Sequence, residues 1–230
     1  MDEAGDRRWG RRMDSTESRE EYLEAVFKLE CGPGGATITR IARELGVQPA
    51  SVSQMITRLV DSGLLHRDSA RGQIGLTDEG RTQAVRVVRR HRLSERFLTD
   101  YLGLPWDTVH EEACRLEHAL SDAAEESLAR RLGHPATCPH GHPIPYEVPV
   151  ADCGVPSHLA DARAGESWSV AFLADESPEF LRYAASCGLA PGVLLVVVDV
   201  APFDGPMTFV IESTRYQIGR EAARRVAVTR

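Results

Sequence analysis

The sequence lacks the features of a membrane or secreted protein. No apolar run approaches the roughly 18 residues of a transmembrane helix, and residues 1–12 are charged, without the apolar core of a signal peptide. The five cysteines are odd in number and irregularly spaced, which argues against a disulfide framework and favours free thiols in a reducing compartment. These absences predict a soluble cytoplasmic protein with no membrane partner.

Common catalytic motifs are also missing. The sequence contains no HExxH run and no GxSxG elbow, and it offers no obvious general base apart from its potential metal ligands. We therefore expect a protein that is not an enzyme. Two alternatives stay open: a zinc or iron hydrolase or oxygenase that uses the same ligands, and a regulator that senses an organic molecule.

An excess of positive charge is absent, since the formal net charge of the 230 residues is −7. The charge is unevenly distributed, however, and between Pro33 and Leu76 arginines outnumber acids. A mildly basic segment inside an acidic chain is compatible with local DNA binding and with cation binding elsewhere. It is equally compatible with an ordinary acidic enzyme.

The segment from Thr37 to Leu76 has the pattern of a winged helix-turn-helix. Thr39 is placed to cap a helix that stops at Gly46, and Pro49 falls in the first turn of a second helix. An alternating hairpin with a basic tip follows. Polar residues on the exposed side of the second helix suit reading of the major groove, and wing arginines suit phosphate contacts. The predicted DNA-binding residues are Gln48, Pro49, Ser51, Ser53, Gln54, Arg58, Arg67 and Arg71.

Potential metal ligands are concentrated between His110 and His118. As one continuous helix, this stretch places its two imidazoles, one thiol and one carboxylate within an arc of about 100°. This mixture suits Fe(II), Mn(II), Co(II), Ni(II) or Zn(II) rather than Mg or Ca. An amphipathic helix with a buried cysteine has the same pattern. The four residues are His110, Cys114, Glu117 and His118.

Three other segments offer further donors. His91 and Glu95 are four residues apart on a long predicted helix, so they share a face. Glu21 and Glu24 are three residues apart on the first predicted helix, so they share a face. Acidic residues on a solvent-exposed helix surface commonly have the same spacing. The Pro- and Gly-rich stretch after Gly133 contains Cys138 and His140.

The C-terminal part changes character, with short strands and turns that are typical of a small β-barrel. The sequence therefore predicts a mostly α N-terminal part, consisting of a winged helix-turn-helix and a helical dimerisation domain, followed by a small β-barrel. The predicted boundaries are a disordered tail (1–13), a DNA-binding domain (14–77), a metal-binding and dimerisation domain (78–145), a linker (146–164) and the barrel (165–230).

From about Asp14 to Pro145 the chain resembles the diphtheria toxin repressor family of iron- and manganese-dependent regulators. The matching segments are Glu21-Tyr-Leu, Ser51-Val-Ser-Gln, Arg90-His-Arg-Leu-Ser-Glu, Val109-His-Glu-Glu-Ala-Cys through Glu117-His to Leu120-Ser-Asp, Pro139-His-Gly and Pro143-Ile-Pro. Beyond Gly165, Phe180-Leu-Arg-Tyr and Gly188-Leu-Ala-Pro-Gly resemble the SH3-like (FeoA-type) barrel of long family members, so the resemblance implies an SH3-like barrel.

The resemblance implies a metal-activated homodimeric repressor with two metal sites per subunit and a pseudo-palindromic double-stranded DNA operator. It implies one site formed by Glu21 together with Cys114, Glu117 and His118, with Glu24 as a further candidate ligand. It implies a second site formed by His91, Glu95 and His110. The barrel supplies Glu176 and Glu179, and Cys138 and His140 are further candidates at the second site.

Two departures from the family pattern bear on the metal. Iron-responsive members carry Met where Glu21 stands, whereas manganese-responsive members carry Asp there and Glu where Cys114 stands. Because a thiolate favours Fe(II), Co(II), Ni(II) or Zn(II) over Mn(II), we expect Fe(II), with Mn(II) as the alternative. Co(II), Ni(II) and Zn(II) are expected to bind in vitro.

Overall fold

The computed structural model describes residues 16–30, 34–68, 70–147 and 157–230. The predicted tail (1–13) and residues 148–156 of the predicted linker lie outside these residues. The described chain forms two compact units, one of residues 16–88 with 145–147 and the other of residues 89–144 with 157–230. No helix among the described residues is long and apolar enough to cross a membrane.

The first unit is a helix-turn-helix with a two-stranded wing. It contains α1 (Thr16–Glu30), α2 (Ile38–Leu45), α3 (Pro49–Asp61), β1 (Leu65–Asp68), β2 (Gln73–Leu76) and the start of α4 (Asp78–Asp100). The two strands pair antiparallel. Apolar side chains at helical spacing on α1 to α3 meet in one core, which includes Leu23, Ile41, Val52 and Ile56.

The residue that caps the N-terminus of α2, the first helix of the helix-turn-helix, differs from the prediction. Thr37 caps α2, since its hydroxyl accepts a hydrogen bond from the Arg40 amide at 3.3 Å, whereas Thr39 lies inside the helix. The helix therefore starts two residues earlier than Thr39 suggested. Gly46 ends it as predicted, at a φ of +65° that suits glycine.

The second unit begins with a helical part. The rest of α4 is followed by α5 (Val109–Leu116), a 3₁₀ turn (Glu117–Ala119) and α6 (Asp122–Arg131). Thr108 immediately precedes α5, and Asp107 accepts a hydrogen bond from Arg182 at 3.1 Å. One prediction is corrected here, because the ligand stretch is not one continuous helix: the α-helix gives way to the 3₁₀ turn at Glu117.

Two apolar residues of α5 are not available for contacts with a second subunit. Val109 and Ala113 are fully buried within a single chain and pack with Leu98. They cannot therefore contribute exposed apolar surface. The exposed apolar side chains of this part include Tyr101 and Leu102 instead.

The remainder of the second unit is a six-stranded antiparallel sheet in the order β3-β8-β4-β5-β6-β7. Its elements are β3 (Ser157–His158), a 3₁₀ turn (Leu159–Asp161), β4 (Ser167–Leu173), α7 (Pro178–Ser186), β5 (Leu194–Val200), β6 (Met207–Ile211), β7 (Thr214–Ile218), α8 (Arg220–Ala223) and β8 (Val226–Thr229). The sheet and α7 enclose an apolar core. Because β3 pairs with β8, the sheet already includes residues of the predicted linker.

Candidate metal centre and nucleic-acid interface

The second unit gathers histidines and carboxylates into a buried group. α4 contributes His91 and Glu95, α5 contributes His110, and the loop after β4 contributes Glu176. One ligand atom from each of these four residues lies within 4.8 Å of the others. His91 and Glu95 are almost completely inaccessible to solvent. Four such donors in a buried pocket suit a transition-metal ion.

A second group of donors lies beside the first and shares two of its members. Glu95 and Glu176 are joined here by Cys138 and His140, with the four ligand atoms again within 4.8 Å of one another. Cys138 and His140 are both buried. The structure thus brings the two candidates from the Pro- and Gly-rich stretch to the predicted second site.

The histidine rings are oriented by hydrogen bonds on their far sides. His140 donates from Nε2 to the Trp106 carbonyl at 2.7 Å, and its Nδ1 faces Glu95 Oε1, 3.2 Å away. His91 Nδ1 donates to Glu117 Oε2 at 2.5 Å, which leaves Nε2 facing Glu95 at 3.2 Å. Such outer hydrogen bonds fix the tautomer of a metal-binding imidazole.

The loop that carries Cys138 and His140 is tied to α4 and β4. Arg96 Nε donates to the Thr137 carbonyl at 2.7 Å, and Arg92 donates to the Pro143 carbonyl. The Leu173 amide donates to the His140 carbonyl at 3.0 Å. These bonds hold both donors in place without a metal ion, as a preformed site requires.

Cys114 lies close to two histidines of the other predicted site. Its Sγ is 3.7 Å from His110 Nε2 and 4.0 Å from His91 Nδ1. These three residues form a further group of possible ligands. The assignment of Cys114 to a site with Glu117 and His118 stays a prediction.

The other predicted ligands are distributed as follows. Glu117 is buried and lies 3.2 Å from His118, with Glu117 Oε1 facing His118 Nε2. Glu179 is exposed on α7 and belongs to none of the donor groups found among the described residues. Glu21 and Glu24 lie on α1 in the first unit, where Glu24 pairs with Lys28 at 3.1 Å. Their roles as ligands stay predictions.

Two groups near the donor residues were not predicted from the sequence. His142 Nε2 donates to the Leu173 carbonyl at 3.0 Å and lies 3.5 Å from Glu176 Oε1. The carbonyl of Trp106 orients His140. The His-Gly-His spacing signalled His142, but a backbone carbonyl has no sequence signature.

The electrostatics of the site reflect buried charges that compensate one another. Burial disfavours charge on His110, yet Cys114, Glu176 and Glu95 raise its pKa to about 11. Burial likewise opposes charge on His140, whose pKa Cys138, Glu176 and Glu95 raise to about 12. Burial opposes ionisation of Cys114, but His110 and His91 lower its pKa to about 7. Without a metal ion, protonated imidazoles thus balance the carboxylates.

Metal binding is expected to release protons from this site. A metal-binding imidazole must be neutral, whereas the raised pKa values of His110 and His140 keep both rings protonated at neutral pH. Affinity should therefore rise with pH, by about tenfold per pH unit for each proton released. Calorimetric titration in buffers of different ionisation enthalpy measures this release, and a binding enthalpy independent of the buffer would contradict the prediction.

The candidate nucleic-acid interface lies on α3 and the wing. Gln48, Pro49, Ser53, Gln54 and Arg58 are exposed, whereas Ser51 is half-buried. On the wing, exposed Arg67 donates to Thr57 at 3.1 Å, so the hairpin is tied to α3. Exposed Arg71 lies at the hairpin tip. A polar face on α3 beside exposed arginines is the surface predicted for reading DNA.

Three family models match the chain in sequence order. "Iron dependent repressor, N-terminal DNA binding domain" matches residues 14–73. "Iron dependent repressor, metal binding and dimerisation domain" matches residues 77–146, and "FeoA domain" matches residues 158–230. Together the three models cover the helix-turn-helix, the donor groups and the sheet.

Curated relatives match over part of their length. The Iron-dependent repressor IdeR of Mycobacterium leprae is 42% identical over 132 residues, which cover 57% of this chain and 57% of the relative. The Diphtheria toxin repressor of Corynebacterium diphtheriae is 40% identical over 132 residues, which cover 57% of this chain and 58% of the relative. The matches therefore span little more than half the length of these relatives.

Solved structures match over nearly the whole chain. One, described as "Manganese-dependent transcriptional repressor complex with manganese", has a TM-score of 0.83 and 34% identity over 92% of this chain and 99% of that chain. Another, described as "Crystal structure of T. acidophilum IdeR", has a TM-score of 0.75 and 28% identity over 91% of this chain and 96% of that chain.

The DNA-binding, metal-binding and FeoA modules in this order define the architecture of the metal-dependent repressors. The chain belongs to the diphtheria toxin repressor family. The resemblance and the fold class predicted from the sequence are thus confirmed. The relatives described above are named as repressors, which argues against the enzyme alternative.

Proposed function

We propose that this protein is a divalent-metal-activated transcriptional repressor that controls metal homeostasis in the cytoplasm, and that it responds to Fe(II). The observation that carries the proposal is the buried group of His91, Glu95, His110 and Glu176 in a chain of this family. Four converging donors in a chain that also carries a DNA-binding fold are expected in a DNA-binding protein that a metal ion regulates. The domain boundaries predicted at 14–77, 78–145 and 165–230 are part of the proposal.

The donor chemistry fits a divalent transition-metal ion. Glu95 Oε2 is buried and has no hydrogen-bond partner among the described residues, which is costly unless an ion binds it. His91, His110 and His140 supply nitrogen ligands, and Cys114 and Cys138 supply sulfur. When bound, the ion supplies positive charge that removes the repulsion between the carboxylates. We propose two sites per subunit, the second at Cys114, Glu117 and His118.

Fe(II) is proposed because thiols accompany the nitrogen and oxygen donors. Cys138 belongs to one donor group and Cys114 to another. Sulfur ligands favour Fe(II) over the harder Mn(II), and Co(II), Ni(II) and Zn(II) are expected to bind in vitro.

Mn(II) is the second candidate, and a specific observation favours it. The group of His91, Glu95, His110 and Glu176 contains only nitrogen and oxygen ligands. The similar structure with the TM-score of 0.83 is that of a manganese-dependent repressor with manganese. Comparing Fe(II) and Mn(II) at cytosolic free concentrations in the DNA-binding experiment below decides between them.

The path from metal to DNA is proposed to run through α4. This helix begins immediately after Thr77, the residue that follows the wing, and it carries His91 and Glu95 in its second half. His91 and Glu95 fix their part of α4 when they bind a ligand, and the continuous backbone conveys that restraint to the wing. The ion would thereby favour a DNA-competent geometry already accessible to the protein.

We propose that the DNA partner is a pseudo-palindromic duplex bound by a homodimer. Two α3 helices of a symmetric dimer meet successive major grooves when they are about 34 Å, or a multiple of that, apart. The exposed polar residues on α3 are the proposed base readers, and Arg67 and Arg71 are the proposed phosphate contacts.

Metal-dependent DNA binding tests the proposed function. Genomic fragments are selected on the purified full-length protein with Fe(II) under anaerobic conditions, and the selected fragment is titrated with and without a strong chelator. We expect tight binding with metal and loss of specific binding after chelation. Specific binding that survives chelation unchanged contradicts the proposal.

Arg71 and Gln54 are expected to act differently on DNA. Arg71→Ala should weaken binding to all sequences about equally and lower the salt dependence by about one counterion, because a phosphate contact carries no base information. Gln54→Ala should change the preferred base at one position, with about 1–3 kcal/mol of lost discrimination. In vitro selection with each variant measures both effects; an unchanged base preference would remove Gln54 from the reading role.

A further inference from the structure

The turn between β5 and β6 presents an aromatic side chain entirely to solvent. Phe203 is 100% exposed, and it lies with Asp204 in the left-handed region, at φ values of +59° and +58°. Across these two residues the Gly205 amide donates to the Pro202 carbonyl at 3.1 Å, as in a type I′ turn. Glycine and asparagine are the usual residues of such turns, so local conformation does not explain a bulky phenylalanine at this position.

An ion pair and a hydrogen bond between the two strand ends hold this turn in place. Arg224 Nη2 donates to both carboxylate oxygens of Asp204, at 3.0 Å each. The Ala201 amide donates to the Pro206 carbonyl at 3.0 Å. Because the turn is fixed in this way, Phe203 loses little conformational freedom when another molecule covers it. Aromatic side chains that become buried on binding contribute much of the affinity of protein interfaces.

The strand that leads into the turn has an aliphatic outer face. Leu195 and Val197 are buried in the apolar core of the second unit. The residues that alternate with them are exposed, by 73% for Leu194, 40% for Val196 and 38% for Val198. The solvent-facing side of an antiparallel strand ordinarily carries polar residues. The most exposed aliphatic residue of β5, Leu194, begins the strand and therefore lies at the end far from the turn.

The size of this apolar patch, formed by Leu194, Val196, Val198 and Phe203, indicates the partner that it fits. The four side chains expose on the order of 500 Å². A partner that binds by this surface alone needs about 800 Å² on each side. A smaller contact is sufficient between molecules that another interaction already holds together, because their effective concentration is high. Since the chain contains a dimerisation domain, a second copy is the partner that is already close.

The order of the exposed residues along the chain fits a two-fold contact between copies. When two β5 strands run antiparallel across their outer faces, Phe203 of each copy meets Leu194 of the other. Val198 lies midway between these two residues in the sequence, so it faces its own counterpart beside the axis. A two-fold contact of this kind uses the same patch on both copies and is the commonest type in homo-oligomers.

We propose that two copies of the chain pack through the outer faces of their β5 strands, with Phe203 of each copy covering Leu194 of the other. The contact adds to the association made by the dimerisation domain. It uses neither the metal-donor residues nor the residues proposed to touch DNA. It therefore goes beyond the proposed function and stands or falls independently of it.

Thiol cross-linking of the full-length protein, with Mn(II) and the selected DNA fragment, tests this arrangement. Leu194→Cys and Phe203→Cys are combined in one chain, and a short bismaleimide is added. The seven residues of β5 alone separate the two thiols of one chain by about 20 Å, so the reagent joins only different chains. We expect a cross-linked pair of chains from the double variant. Each single variant should give only the wild-type background, because antiparallel packing keeps like positions apart. A double variant that cross-links no more than the single variants would assign the patch to another partner and overturn the proposal.

Val198→Asp, added to the double-cysteine variant, tests the position of the two-fold axis. Two aspartates that face each other across the axis repel, so the yield of cross-linked chains should fall by about tenfold or more. Thr214→Asp is the matched control, since Thr214 is exposed on β7 outside the patch, and it should leave the yield unchanged. If Val198→Asp and the control give equal yields, the two-fold contact is wrong. Thermal melting verifies that each variant is folded.

Discussion

Glu95→Gln is expected to abolish metal binding at both donor groups of the second unit. Glutamine preserves the shape of the side chain but removes the charge that faces His91, His110 and His140. Removing a residue that only hydrogen-bonds to a metal ligand already lowers metal affinity by about 10- to 100-fold. Loss of a carboxylate common to both groups should lower it by about 100-fold or more.

The stability of the protein provides a quantitative measure of this loss. At a metal concentration 100 times the dissociation constant, one ion stabilises the wild type by about 2.7 kcal/mol. If affinity falls 100-fold, the same concentration stabilises the variant by only about 0.4 kcal/mol. The metal-induced rise in Tm from this centre should therefore nearly disappear, and metal-dependent DNA binding should disappear with it.

Glu126→Gln is the matched control for this substitution. Glu126 lies on α6 with an exposed side chain and pairs only weakly with Arg130, at 3.8 Å. It should retain wild-type metal affinity and wild-type metal-induced stabilisation. A Glu95→Gln protein that bound metal as tightly as this control would remove Glu95 from the centre.

Gly141→Ala is expected to damage both the fold and the metal centre. A Cβ at this position would lie 2.2 Å from the Ala171 carbonyl oxygen and 2.8 Å from Phe172 Cα, at a backbone φ of +94°. The positive φ costs a non-glycine residue about 1–2 kcal/mol, and the overlap adds about 1–3 kcal/mol. Relief of the overlap moves the loop that carries Cys138 and His140 away from β4, so metal affinity should fall too.

Gly165→Ala separates these two contributions. Gly165 has a similar φ of +88°, but a Cβ there would meet nothing within 4 Å. It should show the conformational cost alone, with unchanged metal affinity. Thermal melting and metal titration of both variants make the comparison, and equal effects of the two substitutions would show that the close approach of Gly141 to β4 does not matter.

Local sequence patterns predicted most of the elements because they depend on neighbouring residues. Pro49 was predicted in the first turn of the second helix, and α3 begins at Pro49. The caps were less predictable. Thr37 and Thr39 are both good capping residues, and only the backbone conformation decides which one caps α2. Similarly, nothing in the residue types announces the change from α-helix to 3₁₀ turn at Glu117.

The metal centre was predictable only in part. The four-residue spacing placed His91 beside Glu95, as any helix requires. The resemblance supplied Glu176 and the pair Cys138 and His140 as candidates. The sharing of Glu95 and Glu176 between two donor groups could not be predicted, because it depends on how the loop after β4 packs against α4 and α5. Periodicity carries no information about such distant contacts.

His91 makes the two sides of the centre interdependent. A neutral imidazole has one proton and one lone pair, and this ring directs Nδ1 to Glu117 and Nε2 to Glu95. With the proton on Nδ1, where it donates to Glu117, the lone pair of Nε2 is directed toward Glu95. A metal ion bound at Nε2 would therefore keep the proton on Nδ1 and so maintain the hydrogen bond to Glu117.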